Sequence, residues 1–225
     1  MSTIYLFSGL GADERAFQEL DFGGVSTVHI PWLIPHQKES LREYAERLAK
    51  QLKEDDPILI GLSFGGMVAV EVAKLIKPKK LILIASAKSK HEIPFYFRWI
   101  GKIRIHWLIP TRWLKRTSGL TMWFFGAKTP GHKRLLEDIL HDTDPIFLRW
   151  AINTIVSWNN EIIPDNVIHI HGSGDRILPI KFIRPDIIIP NGGHLMTLDR
   201  AVEITAAIRG LLKRAENRID KGIKP

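Results

Sequence analysis

Cysteine is absent from all 225 residues of this chain. That excludes a disulfide framework, a thiolate nucleophile and a thiolate metal site. No apolar run approaches the roughly 20 residues that a helix needs to span a bilayer. Nothing resembles a secretory signal either, because Met1-Ser2-Thr3 leads straight into a strand candidate without a basic segment and a long apolar run. A cytoplasmic, soluble protein is the resulting expectation. Internal repeats and low-complexity linkers are also missing. None of the nine histidines stands at a metal-ligand spacing, so neither a metal nor a cofactor is expected.

What is present suits a single α/β domain. Hydrophobic residues make up 45% of the chain and charged residues 25%, both ordinary globular values. The length allows a substantial core. Strand candidates fall at 3–8, 26–30, 57–62, 80–85, 166–171 and 186–189. Helix candidates fall at 13–21, 40–53, 64–76 and 195–214. The helix at 40–53 has the clearest pattern: Ser40 can cap it, Glu43 holds the capping-box position, and Leu41, Tyr44, Ala45, Leu48 and Leu52 form one face. This alternation predicts a mostly parallel sheet with helices on both faces. The polar end, 215–225, is expected to fray.

Chemistry concentrates at Gly61-Leu62-Ser63-Phe64-Gly65, which follows the apolar run Ile58-Leu59-Ile60 and opens a helical run from Met67 to Ile76. Strand, Gly-x-Ser-x-Gly and helix is the context that exposes a serine on a sharp turn. A serine hydroxyl needs a base, and the base needs an orienting group. Asp175 follows the apolar stretch Val167 to Ile170, and His194 follows Ile187-Ile188-Ile189. Each therefore sits on a loop at a strand end, in the order Ser, Asp, His. Near the start, Ser8-Gly9-Leu10-Gly11 closes the first strand candidate. That turn can aim the Leu10 N–H at an oxyanion, with the Phe64 N–H as second donor. Taken singly, Ser63 reads as a turn residue, Asp175 as a turn or N-cap residue and His194 as a surface or capping histidine. The four elements in order are what point to catalysis. Asp186 and Asp165 are poorer acids by their place on the strands. Asp199 reads as a surface helix residue, and His171 as a local hydrogen-bonding partner.

From Ile4 to about Leu212, these motifs resemble the α/β-hydrolase superfamily, in its small-cap esterase and thioesterase-like form. The resemblance implies an α/β-hydrolase fold with a catalytic triad of Ser63, Asp175 and His194 and an oxyanion hole from the backbone N–H groups of Leu10 and Phe64. Two departures stand out. Ser8-Gly9 replaces the His-Gly of many relatives, which a backbone donor tolerates. The first strand candidate lies within the first residues, so the two leading strands of larger relatives are not expected.

The resemblance also locates a helical lid. Between core segments 1–87 and 165–214, residues 88–164 lose the strand–helix rhythm and hold six of the seven tryptophans. Three or four short helices are expected there, roofing an apolar acyl or alkyl pocket. Trp99, Trp107 and Trp123, with Ile177 and Leu195 from the acid and histidine loops, are the candidate pocket residues. From Lys88 to Arg134 there are eleven Lys and Arg against the single acid Glu92, whereas the whole chain is only +8. The basic character belongs to this insertion. It has three readings: a solvated face, a mouth that steers an acidic partner such as acyl carrier protein or an anionic thioester, or peripheral contact with anionic membrane. Nucleic acid is not expected, because no recognition motif accompanies the charge.

The sequence thus predicts a cofactor-free serine hydrolase acting on a small-molecule ester or thioester. Two alternatives keep the fold: a ligand- or partner-binding protein with little hydrolysis, and a lyase or cofactor-free oxygenase that uses the triad.

Overall fold

A computed structural model of the chain describes residues 3–103, 115 and 118–220, with side chains to residue 213. Six strands form one sheet: β1 (Ile4–Phe7), β2 (Thr27–His29), β3 (Ile58–Leu62), β4 (Lys80–Ile84), β5 (Val167–Gly172) and β6 (Ile187–Ile189). Their order is β2-β1-β3-β4-β5-β6, and every pairing is parallel. The central strands read as unbroken apolar runs because both faces are covered. Alternate residues feed two cores. Tyr5, Phe7, Leu59, Leu81 and Leu83 face one side; Ile4, Leu6, Ile58, Ile60, Ile82 and Ile84 face the other.

Helices α1 (Leu41–Ala49) and α2 (Phe64–Ile76) cover the first face. The capping box of α1 is present: Ser40 Oγ accepts from the Glu43 N–H at 3.3 Å, and Glu43 Oε2 accepts from the Ser40 N–H at 2.8 Å. Between β4 and β5 lie α3 (Phe95–Ile103), α4 (Gly119–Phe125), α5 (Pro130–Asp142) and α6 (Pro145–Ser157). Proline opens α5 and α6 at the position where a missing N–H costs nothing, with Thr129 and Asp144 as caps. After β6 come a short α7 (Met196–Asp199) and a long α8 (Ala201–Asp220), which packs on the second face through Ile204, Ile208 and Leu211.

Two helix expectations need correction. The stretch 13–21 forms a single 3-10 turn, Glu14–Phe17, capped by Asp13. A segment this short is marginal as an α-helix, and Ala16, Phe17 and Leu20 bury themselves on the sheet without one. The stretch 195–214 is broken at Arg200, whose φ of −133° leaves the helical region. Its second part runs on to Asp220 through the good helix formers Arg214, Ala215 and Glu216. Helix thus occupies 215–220, where fraying was expected, and 221–225 lie outside the described residues.

Candidate active site

Ser63 sits between β3 and α2 with φ 52° and ψ −122°, a conformation that is costly for a residue with a side chain. Three glycines make room for it. A Cβ on Gly61 would press on Gly66, one on Gly65 would strike the carbonyls of Phe7 and Ser8, and one on Gly66 would strike Ser86. Hydrogen bonds then hold the turn. The Ser63 N–H donates to the Ile84 carbonyl at 2.9 Å, and Ser86 Oγ donates to the Ser63 carbonyl at 2.7 Å. The serine hydroxyl is left half-buried at the carboxyl end of the sheet, where open α/β sheets place their ligands.

The loops after β5 and β6 bring Asp175 and His194 to it. Ser63 Oγ lies 2.8 Å from His194 Nε2, and His194 Nδ1 lies 2.8 Å from Asp175 Oδ2. Asp175 Oδ1 accepts the N–H groups of Ile177 and Leu178 at 2.8 and 2.9 Å. Both oxygens of this buried carboxylate are thus engaged. Burial alone would raise this carboxyl; the charge and hydrogen bond of His194, with the Leu178 N–H and His171, outweigh it and hold it below its ordinary value. The Nδ1–H donated to Asp175 turns the ring so that Nε2 faces the serine hydroxyl, the geometry in which Nε2 can accept its proton. His171 closes the same loop: its Nε2 donates to the Leu178 carbonyl at 2.8 Å, and burial holds its pKa below the ordinary value.

The turn that carries Leu10 lies beside the serine. A Cβ on Gly9 would stand 3.6 Å from the Ser63 Cβ. Gly11 takes φ +65°, and the Ala12 N–H closes the turn on the Gly9 carbonyl at 3.0 Å. Two supports here escaped the sequence reading. Ser8 Oγ donates to the Ala12 carbonyl and lies 3.1 Å from Nε2 of His29, which parallel pairing of β1 with β2 brings alongside. Trp32 Nε1 donates to the carbonyls of Ala12 at 3.0 Å and Gly9 at 3.3 Å. Phe64 is 1% exposed, under an aromatic cluster with Trp32, Phe147 and Trp150.

The candidate pocket residues scatter. Trp99 and Trp123 point outward, 63% and 52% exposed. Trp107 lies outside the described residues. Ile177 and Leu195 are half-buried, and Leu195 packs on Met122, Leu136 and Leu140 from the insertion. Trp150 and Trp158 turn inward, their Nε1 groups donating to the Glu39 carbonyl and to Glu71 Oε1, both at 2.8 Å. Phe125 of α4 meets the His194 ring edge-on at 5.7 Å. Asp186 is occupied by the His169 N–H at 2.7 Å, and Asp199 by Lys128 at 3.0 Å. A cleft of about 700 Å³ beside Ser40 and Trp158 does not touch Ser63. Among the described residues, no group of three His, Cys, Asp or Glu could hold a metal ion. No helix among them is long and apolar enough to cross a membrane.

The fold has known counterparts. An N-acyl homoserine lactonase, AidH, solved with N-butanoyl homoserine, superposes with a TM-score of 0.67 at 16% identity, over 96% of this chain and 90% of that one. A thermophilic esterase from Thermogutta terrifontis, solved with malate, gives 0.63 at 17% identity, over 96% and 90%. A bromoperoxidase from Bacillus anthracis gives 0.66 at 16% identity, over 94% and 92%. At such identities the likeness is one of fold. No curated protein sequence matches the chain. A family model described as the alpha/beta hydrolase family matches residues 7–208, and with its parallel sheet and strand-end serine turn the chain belongs to that family.

Proposed function

We propose that this protein is a serine hydrolase that cleaves a carboxylic ester or thioester through an acyl-enzyme. The observation that carries the reading is the unbroken hydrogen-bond path from Ser63 Oγ through both ring nitrogens of His194 to Asp175. Ser63 attacks the carbonyl carbon as His194 Nε2 takes its proton. Asp175 stays ionised, fixes the tautomer and stabilises the imidazolium. The N–H groups of Leu10 and Phe64 receive the oxyanion, each worth about 10²–10³-fold in rate. His194 then protonates the leaving alkoxide or thiolate. Water activated by the same histidine releases the acyl group and restores the serine.

The helices between β4 and β5 cover the site and set its substrate range; the contact of Phe125 with His194 supports that role. The reactions named for the lactonase and the esterase of similar fold fall within the same carbonyl chemistry. The test is hydrolysis of a chain-length series of acyl esters and acyl-thioesters, with Ser63→Ala as the blank. Turnover that vanishes in the blank is expected, and its length optimum sizes the pocket. No turnover above the blank on any member would contradict the reading and favour a binding role.

A further inference from the structure

Helix α3 carries Phe95, Trp99 and Ile103 one helical turn apart, and α4 carries Leu120, Trp123 and Phe124; all six are at least 40% exposed. Large apolar side chains gathered in this way mark a surface that is covered in use. Both helices adjoin the loop 176–184 that follows Asp175. The rings of Phe95 and Tyr96 lie 6.2 and 6.1 Å from Phe182. The Arg176 guanidinium lies 4.2 Å from the Trp123 ring centroid, and its Nη1 donates to the Trp123 carbonyl at 2.6 Å.

Charge on this surface has one sign. Neither helix nor the loop contains an acid, while together they carry Arg98, Lys102, Arg176, Lys181 and Arg184.

We propose that α3, α4 and the loop 176–184 form a docking surface for an anionic lipid bilayer. Tryptophan and phenylalanine settle at the headgroup level, and lysine and arginine are drawn to anionic headgroups. A protein partner would have to match the apolar side chains of two helices and the cations in one fixed shape. A bilayer interface satisfies both without one. No crossing helix is required, so the attachment is peripheral. Docking would bring the mouth beside Phe125 and His194 against the lipid. That consequence rests on the reading of Ser63 as nucleophile; the docking itself does not.

The test is co-flotation of the full chain with vesicles of phosphatidylcholine alone and of phosphatidylcholine with phosphatidylglycerol. It is run in the Ser63→Ala background as well, so that a failed catalytic reading leaves the readout untouched. Partition into the anionic vesicles is expected to exceed that into neutral ones by about tenfold or more, and to fall with added salt. Trp99→Ser combined with Trp123→Ser should abolish it. Lys102→Glu, at an exposed position that leaves the core alone, should weaken it roughly tenfold. No partition at low salt would overturn the proposal. So would partition that neither variant changes, or binding of an acidic carrier protein without any binding of lipid.

Discussion

The Nδ1 atom of His194 lies 2.8 Å from Oδ2 of Asp175, and neither side chain is more than 4% exposed. In so dry a setting the carboxylate cannot be replaced by solvent. Asp175→Asn is expected to lower kcat by roughly 10³–10⁴-fold with little change in KM. Steady-state kinetics on the best ester substrate checks this, and unchanged kinetics would move the acid elsewhere.

The same carboxyl links stability to pH. Its folded value is lowered from 3.8, so it contributes stability above 3.8 that is lost as the pH falls through the lower folded value. Wild type and Asp175→Asn should differ in urea unfolding at neutral pH, and the gap should close in acid.

Buried histidines act earlier on the acid side. Burial holds His29, His169 and His171 below the ordinary 6.5. The unfolded chain takes up protons at these sites below pH 6.5 while the folded chain does not. Stability is therefore complete above 6.5 and falls as the pH drops towards the lowered values, by up to about 1.4 kcal/mol per pH unit for each group. Denaturation curves between pH 8 and pH 5 should show the decline, with a smaller slope for His29→Gln.

The indole N–H of Trp32 donates to the carbonyls of Gly9 and Ala12, in the turn that carries Leu10. Trp32→Phe keeps most of the ring packing and removes both bonds. A loosened turn weakens a contact made in the transition state, so kcat should fall about tenfold while KM stays close to its original value. A change in KM alone would show that Trp32 acts on substrate binding.

Gly65 is the tightest point of the serine turn, against the Phe7 and Ser8 carbonyls. These are backbone atoms and cannot swing aside. Gly65→Ala is expected to destabilise the fold by about 1–3 kcal/mol, measured as a shift in the urea midpoint.

Much of this was legible because it is local. The apolar runs ending at Phe7, Leu62 and Ile84 reveal β1, β3 and β4. Ser63, Asp175 and His194 each follow such a run, which is why chain order alone suggests their meeting. The contacts of His29 and Trp32 were invisible because they depend on which strand pairs with β1, a choice no local pattern records. The outward turn of Trp99 and Trp123 was hidden for a related reason. A stripe of aromatics at helical spacing shows that a helix has an apolar face, not which partner covers it. The 3-10 turn at Glu14–Phe17 departed from expectation because burial on the sheet outweighed weak helical propensity.

The central claim is that Ser63 is the nucleophile, and covalent labelling tests it most directly. The folded protein is treated with a fluorophosphonate, digested, and the modified peptide located by mass spectrometry. The account predicts one adduct, on Ser63, that is lost in Ser63→Ala and greatly slowed in His194→Ala. An unlabelled Ser63 in folded protein, or an adduct on another residue, would contradict it.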